Sequence, residues 1–127
     1  MQDKPKSLSG WQKRQLRVAR GLPPFTAREA AAESARNARR AGQRAAANSQ
    51  FLTELKLASG CVDCGYNEHP AALDFDHLPG QVKHRGLARM LTVTRSTLLA
   101  EVAKCEIVCA NCHRIRTWKR RNSESGN

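Results

Sequence analysis

The spacing of apolar and polar positions changes character near the middle of the chain. From Thr26 to about Ala47 the run is alanine-rich and carries no large apolar side chain. Thr26 followed three positions later by Glu29 is a capping-box signature, so the sequence predicts a helix over these residues. Arg36, Arg40 and Arg44 recur every fourth position and share one face of it. A second, short helix is predicted from about Gln50 to Ala58, where Phe51, Leu52, Leu55 and Leu57 give an apolar side, and Gly60 ends it.

Beyond Cys61 the elements shorten. In the AALDF stretch Leu73 and Phe75 alternate with Asp74 and Asp76, the period of a half-buried strand with the two apolar side chains inward and the two acids outward. GLARML fits a helical turn, and STLLAEVAKC reads as a helix with Ser96 as N-cap and Leu98, Leu99 and Val102 as its apolar side. Glu106 to Val108 is predicted to be extended, leading into a last helix from about Ala110 to Arg120. On that helix His113, Arg116, Thr117 and Arg120 share one face, with Ile115 and Trp118 on a neighbouring apolar one.

Ahead of these elements, residues 1–24 mix Lys4, Lys6, Lys13, Arg14, Arg17 and Arg20 with several prolines and glycines. They read as a basic arm with a short helical turn around Trp11 to Arg20. The expected organisation is therefore a basic arm (1–24), a helical extension (25–58), a small α+β domain (59–121) and a disordered tail (122–127).

Composition sharpens this picture. A chain of 127 residues with three Phe, two Trp, one Tyr and two Met has a modest core, and cores of that size usually need a staple. Its 22 Lys and Arg against 11 Asp and Glu leave a formal charge of +11. Such an excess favours polyanions through counterion release, with nucleic acid the commonest partner. The arginine stripe is then either a solvated face or a DNA-backbone contact. No apolar run suits a membrane span, and the first residues lack the apolar stretch of a signal peptide, so a cytoplasmic, reducing compartment is expected. No membrane partner, no small-molecule cofactor and no apolar seam for a dimer is predicted; a monomer is favoured.

Cys61-Val-Asp-Cys64 and Cys109-Ala-Asn-Cys112 are the staple. Two residues between cysteines let both thiolates reach one ion from a tight turn, and two such turns complete a tetrahedral site, so a structural Zn²⁺ on Cys61, Cys64, Cys109 and Cys112 is predicted. Buried or redox-active thiols are the plainer alternative. Gly65 suits the left-handed backbone of a zinc knuckle. The fifth cysteine, Cys105, reads as a small core residue.

CVDCG, then LDFDH, then CANCHRIRT, in that order, resembles the zinc-containing HNH endonucleases of bacteria and phages. The resemblance covers about Cys61 to Trp118. It implies a small ββα-metal fold closed by the four-cysteine zinc site, in a bacterial cell or phage-infected host. It also implies metal-dependent hydrolysis of DNA phosphodiesters, as nicks or double-strand cuts that leave 5′-phosphate and 3′-hydroxyl ends. Carried over by position, His77 matches the general base, and Asp76 and His113 match the ligands of a catalytic Mg²⁺, Mn²⁺ or Ni²⁺. Asp74 is then a partner behind the ligands.

Where the resembled family has its middle asparagine, about five residues before the third cysteine, this chain has Lys104; Asn111 and Asn67 are other candidates outside the expected place, so the role is unassigned. Arg116 and Arg120 are expected at the phosphate, with Lys83, His84 and Arg85 gripping the backbone nearby and Arg36, Arg40 and Arg44 extending the footprint. His69 reads as a surface loop residue. The alternative function is a zinc-stabilised DNA-binding module without nuclease activity. An RNA-directed activity is weaker, because few aromatic side chains are present to stack bases.

Overall fold

The computed structural model describes residues 7–124, so Lys4 and Lys6 of the basic arm and the last three residues of the expected tail lie outside the described residues. The chain divides into two compact units, Met1–Arg39 and Arg40–Asn127.

In the first unit, helix α1 spans Gly10–Ala19. Ser9 caps it: its side chain accepts from the Gln12 N–H, and the Gln12 side chain accepts from the Ser9 N–H at 2.8 Å. Helix α2, Ala27–Ser59, begins in this unit. The predicted capping box is formed there, with Glu29 accepting from Thr26 N at 2.7 Å and Thr26 Oγ1 accepting from Glu29 N at 3.1 Å. A Lys13–Glu33 ion pair and the stacking of Arg17 on Phe25 at 4.3 Å hold the two helices and their connection.

The second unit contains the rest of α2 and an antiparallel hairpin of β1, Leu73–His77, and β2, Cys105–Cys109. Helix α3, Arg95–Val102, lies between the strands in sequence, and α4, Ala110–Glu124, follows β2 without a break. The register pairs Leu73 with Cys109, Phe75 with Ile107, Asp76 with Glu106 and His77 with Cys105. Two apolar clusters hold the unit. One gathers Cys61, Leu73, Ile107, Val108 and Cys109 at the cysteine end of the hairpin. The other gathers Leu52, Leu87, Met90 and Leu98 between α2, α3 and the loop before α3. The class is α+β, with four α-helices and one two-stranded sheet among the described residues.

Four expectations need correction. The helices expected over 26–47 and 50–58 are one continuous helix, because Asn48, which looked like a break, is buried and spends its amide on the Leu91 and Val93 carbonyls at 2.8 and 2.9 Å. Thr94, not Ser96, caps α3: its side chain accepts from Thr97 N. The tail expected from residue 122 is helical as far as Glu124. The apolar sides assigned to Leu99, Ile115 and Trp118 face solvent, at 45, 51 and 64% exposure.

Candidate functional site

The cysteine centre is built by local backbone geometry. Gly60 ends α2 in the left-handed region (φ +65°), where an added Cβ would lie 3.1 Å from the Asn67 Cβ. Cys61 N donates to Tyr66 O and Gly65 N to Cys61 O, both at 2.8 Å, closing a tight knuckle, and Gly65 supplies the predicted left-handed turn at φ +81°. Val62 N donates to Ile107 O at 2.9 Å and so ties the knuckle to β2. The second pair sits where β2 becomes α4, with Cys112 N donating to Cys109 Sγ at 3.4 Å.

The result is that Cys61, Cys64, Cys109 and Cys112 bring their sulfurs within 4.8 Å of one another, a four-cysteine cluster positioned to hold a metal ion such as zinc. The thiols are electrostatically unequal. Burial pushes the Cys61 thiol up, but backbone N–H groups of Cys109, Cys64 and Asp63 outweigh it and bring the group down to about 6. Cys112, crowded first by Cys109 and then by burial and the other thiols, is pushed up to about 12. Four thiolates cannot coexist in this space without a positive charge among them.

One residue beyond Cys112, the first turn of α4 aims His113 at the hairpin. Its Nδ1 bonds Asp74 Oδ2 at 3.0 Å, and its Nε2 lies 3.6 Å from Asp76 Oδ1. Asp74 and Asp76 are two positions apart on β1 and so share the face that α4 covers. That cover corrects the expectation of an outward Asp76, which is only 3% exposed. Two arginines of α4 neutralise it. Arg120 donates to both its oxygens at 2.8 Å, and Arg116 Nη1 donates to Oδ2 at 3.0 Å. Burial pushes the Asp76 carboxyl up, but Arg120 and Arg116 outweigh it and hold it below its usual value.

Arg116 has further partners. It grips Asp63, inside the first cysteine turn, with two bonds of 2.7 Å, and Glu106, the cross-strand neighbour of Asp76, at 3.0 Å. Both arginines expected at a phosphate are therefore committed to acids of the chain itself. Asp63 and Glu106 escaped the sequence reading, because nothing local marks a residue between two cysteines or in mid-strand as an arginine partner.

His77, adjacent to Asp76, leaves the strand on the opposite face. Its Nε2 meets Glu101 Oε1 of α3 at 2.8 Å. Glu101 is 2% exposed, and it also accepts from His84 N at 3.1 Å and Lys104 Nζ at 3.0 Å. Lys83 and Arg85 are exposed on the segment after β1. Of the α2 stripe, Arg36 pairs with Glu33 at 2.7 Å, Arg40 is exposed, and Arg44 donates to Thr92 O at 3.0 Å. Cys105 is half-buried and donates to Glu101 O at 3.5 Å; burial raises its thiol to about 11, in keeping with an inert core position.

Asp76 and His113 approach to 3.6 Å, with Asp74 on the other ring nitrogen, while among the described residues the four cysteines are the group placed to hold a metal ion. The bonds from Arg116 and Arg120 compete for the same carboxylate. Among the described residues no helix is long and apolar enough to cross a membrane. Compared with protein-family models, curated proteins and solved structures, the chain has no significant match.

Proposed function

We propose that the chain is a metal-dependent DNA endonuclease of the HNH type, its ββα hairpin closed by a structural Zn²⁺ on the four cysteines. The observation that carries this reading is His113, held by Asp74 on one ring nitrogen and presenting the other 3.6 Å from Asp76. Asp76 and His113 would hold a Mg²⁺, Mn²⁺ or Ni²⁺ ion, which supplies positive charge to the phosphate and the leaving oxygen. The chain's own groups would have distinct tasks. His77 would take a proton from the attacking water as the water oxygen bonds phosphorus; the bond from phosphorus to the 3′ oxygen breaks, and that oxygen takes its proton from a solvent water. Asp74 keeps the His113 ring in register. The charge of +11 supports a nucleic-acid substrate, with Lys83 and Arg85 exposed on the segment that leaves β1 after His77.

A second reading draws on the arginines. With three bonds from Arg120 and Arg116, Asp76 is also placed to act as a buried ion-pair hub in a zinc-stabilised DNA-binding module that cuts nothing.

Incubation of supercoiled plasmid with zinc-loaded protein in Mg²⁺, Mn²⁺, Ni²⁺ or chelator separates the two. The nuclease gives metal-dependent nicked or linear product. His77→Ala lowers the rate by about 10²- to 10⁴-fold while DNA binding is retained, and Asp76→Ala and His113→Ala abolish the metal response. Retention of DNA with no cut in any metal establishes the binding module instead.

A further inference from the structure

Glu101 is a carboxylate hidden in a unit with little apolar core to spare, and a buried charge is costly unless donors surround it. Three do: the Lys104 ammonium, the His84 backbone N–H and the His77 ring. Lys104 Nζ also donates to Val82 O at 2.9 Å, and the Lys104 carbonyl accepts from Leu78 N at 2.9 Å. The α3–β2 corner therefore ties the segment leaving β1 at residues 78, 82 and 84, and ties the last side chain of the strand itself. The Leu78–Lys104 bond continues the ladder past the His77–Cys105 pair, whereas the side-chain bonds of Glu101 and Lys104 are additional to it and lie at the end of the strands away from Cys109.

We infer that Glu101 is a positioning residue for His77: it accepts the Nε2–H and fixes the ring so that Nδ1 carries the lone pair that takes the proton from water. The inference rests on the nuclease reading for its chemistry, but the pairing itself is independent of it. The atom assignment follows from what surrounds the carboxylate. An ammonium and a backbone N–H only donate, and an ionised carboxylate only accepts, so the ring nitrogen facing it bears hydrogen. Burial pushes Glu101 up, but Lys104, His77 and the His84 N–H outweigh it and bring the group down to about 2, so it is ionised at neutral pH. Neutral imidazole holds one hydrogen, leaving Nδ1 as its acceptor. Lys104, where the resembled family has an asparagine, then completes the clamp rather than leaving the position empty.

Long-range ¹H–¹⁵N correlation of the zinc-loaded full chain at neutral pH reads the tautomer directly, with His77 assigned by its loss in His77→Gln. For the neutral ring the expected spectrum shows Nε2 protonated and Nδ1 bare; a neutral His77 protonated on Nδ1 overturns the inference, whether or not the protein cuts DNA. In Glu101→Ala, kcat of plasmid cleavage is expected to fall on the order of 10²-fold with KM changed less than about twofold, the signature of a misplaced base. Glu101→Gln keeps an oxygen facing Nε2, so it retains the tautomer and an intermediate kcat; it serves also where the alanine variant fails to fold. A folded Glu101→Ala, shown by zinc content and circular dichroism, that cuts at the parental rate refutes the positioning role. Absence of any cleavage by the parent refutes the nuclease reading and leaves the spectrum to decide the pairing.

Discussion

Asp76 shows how a single side chain takes its character from groups distant in sequence. Arg116 and Arg120 lie a helix away, Glu106 faces it across the ladder, and Arg116 carries the network on to Asp63 in the cysteine knuckle. Removing Arg116 strips a donor from a buried carboxylate and leaves Asp63 and Glu106 without this guanidinium, so Arg116→Ala is expected to destabilise the zinc-loaded protein by about 3 kcal/mol. Urea unfolding at neutral pH measures it. The sign with pH follows from Asp76, whose carboxyl sits below its usual 3.8. A group with a depressed folded value contributes stability above its unfolded value and loses it as the pH falls through the folded one. The gap between parent and variant is therefore full at neutral pH and narrows below about 4. The cysteines were legible in the sequence because two-residue spacing is itself the geometry of a chelating turn. The partners of Asp76 were not, because ion pairs between elements leave no local periodic trace.

At the scale of elements, α2 carries the same lesson. Asn48 and Ser49 are poor helix formers after an alanine run, and a break there is the natural reading. The chain instead uses Asn48 as a bolt. Its amide donates to two carbonyls of the 91–93 segment, and its oxygen accepts from Arg95 Nε at 3.0 Å, while Arg95 stacks on Phe51 at 4.2 Å. The tertiary use outweighs the local propensity. Strand β1, by contrast, was legible from Leu73 and Phe75 alternating with Asp74 and Asp76, and β2 as a short extended piece before the last helix; the alternation could not say that α4 would cover and bury Asp76. Asn48→Ala leaves two inward carbonyls without their donor and is expected to cost about 2 kcal/mol. Hydrogen exchange should show the effect concentrated over residues 91–98 rather than at the cysteine centre. Equal loss of protection in β1 and β2 would mean the bolt stabilises the whole unit.

For the whole molecule, what matters is which of 22 basic side chains remain available to a polyanion. Sequence order and helical spacing put Arg116 and Arg120 on the working face, yet both are consumed by Asp76 and its neighbours, and Arg44 is spent on the Thr92 carbonyl. Lys83 and Arg85, exposed after the His77 strand, are not drawn into that network. Counterion release makes this measurable, since each phosphate left unneutralised reduces the slope of log affinity against log salt by about 0.9 for duplex DNA. Lys83→Ala and Arg85→Ala should each flatten the slope by about one and weaken binding similarly across sequences. Arg120→Ala should leave the slope within about 0.3 of the parent, because its charge is already matched inside the protein. A full unit of slope missing in Arg120→Ala would mean that DNA draws this arginine away from Asp76. In that case the carboxylate is freed only when DNA is bound, and divalent-ion affinity measured with and without a DNA duplex should then differ as well.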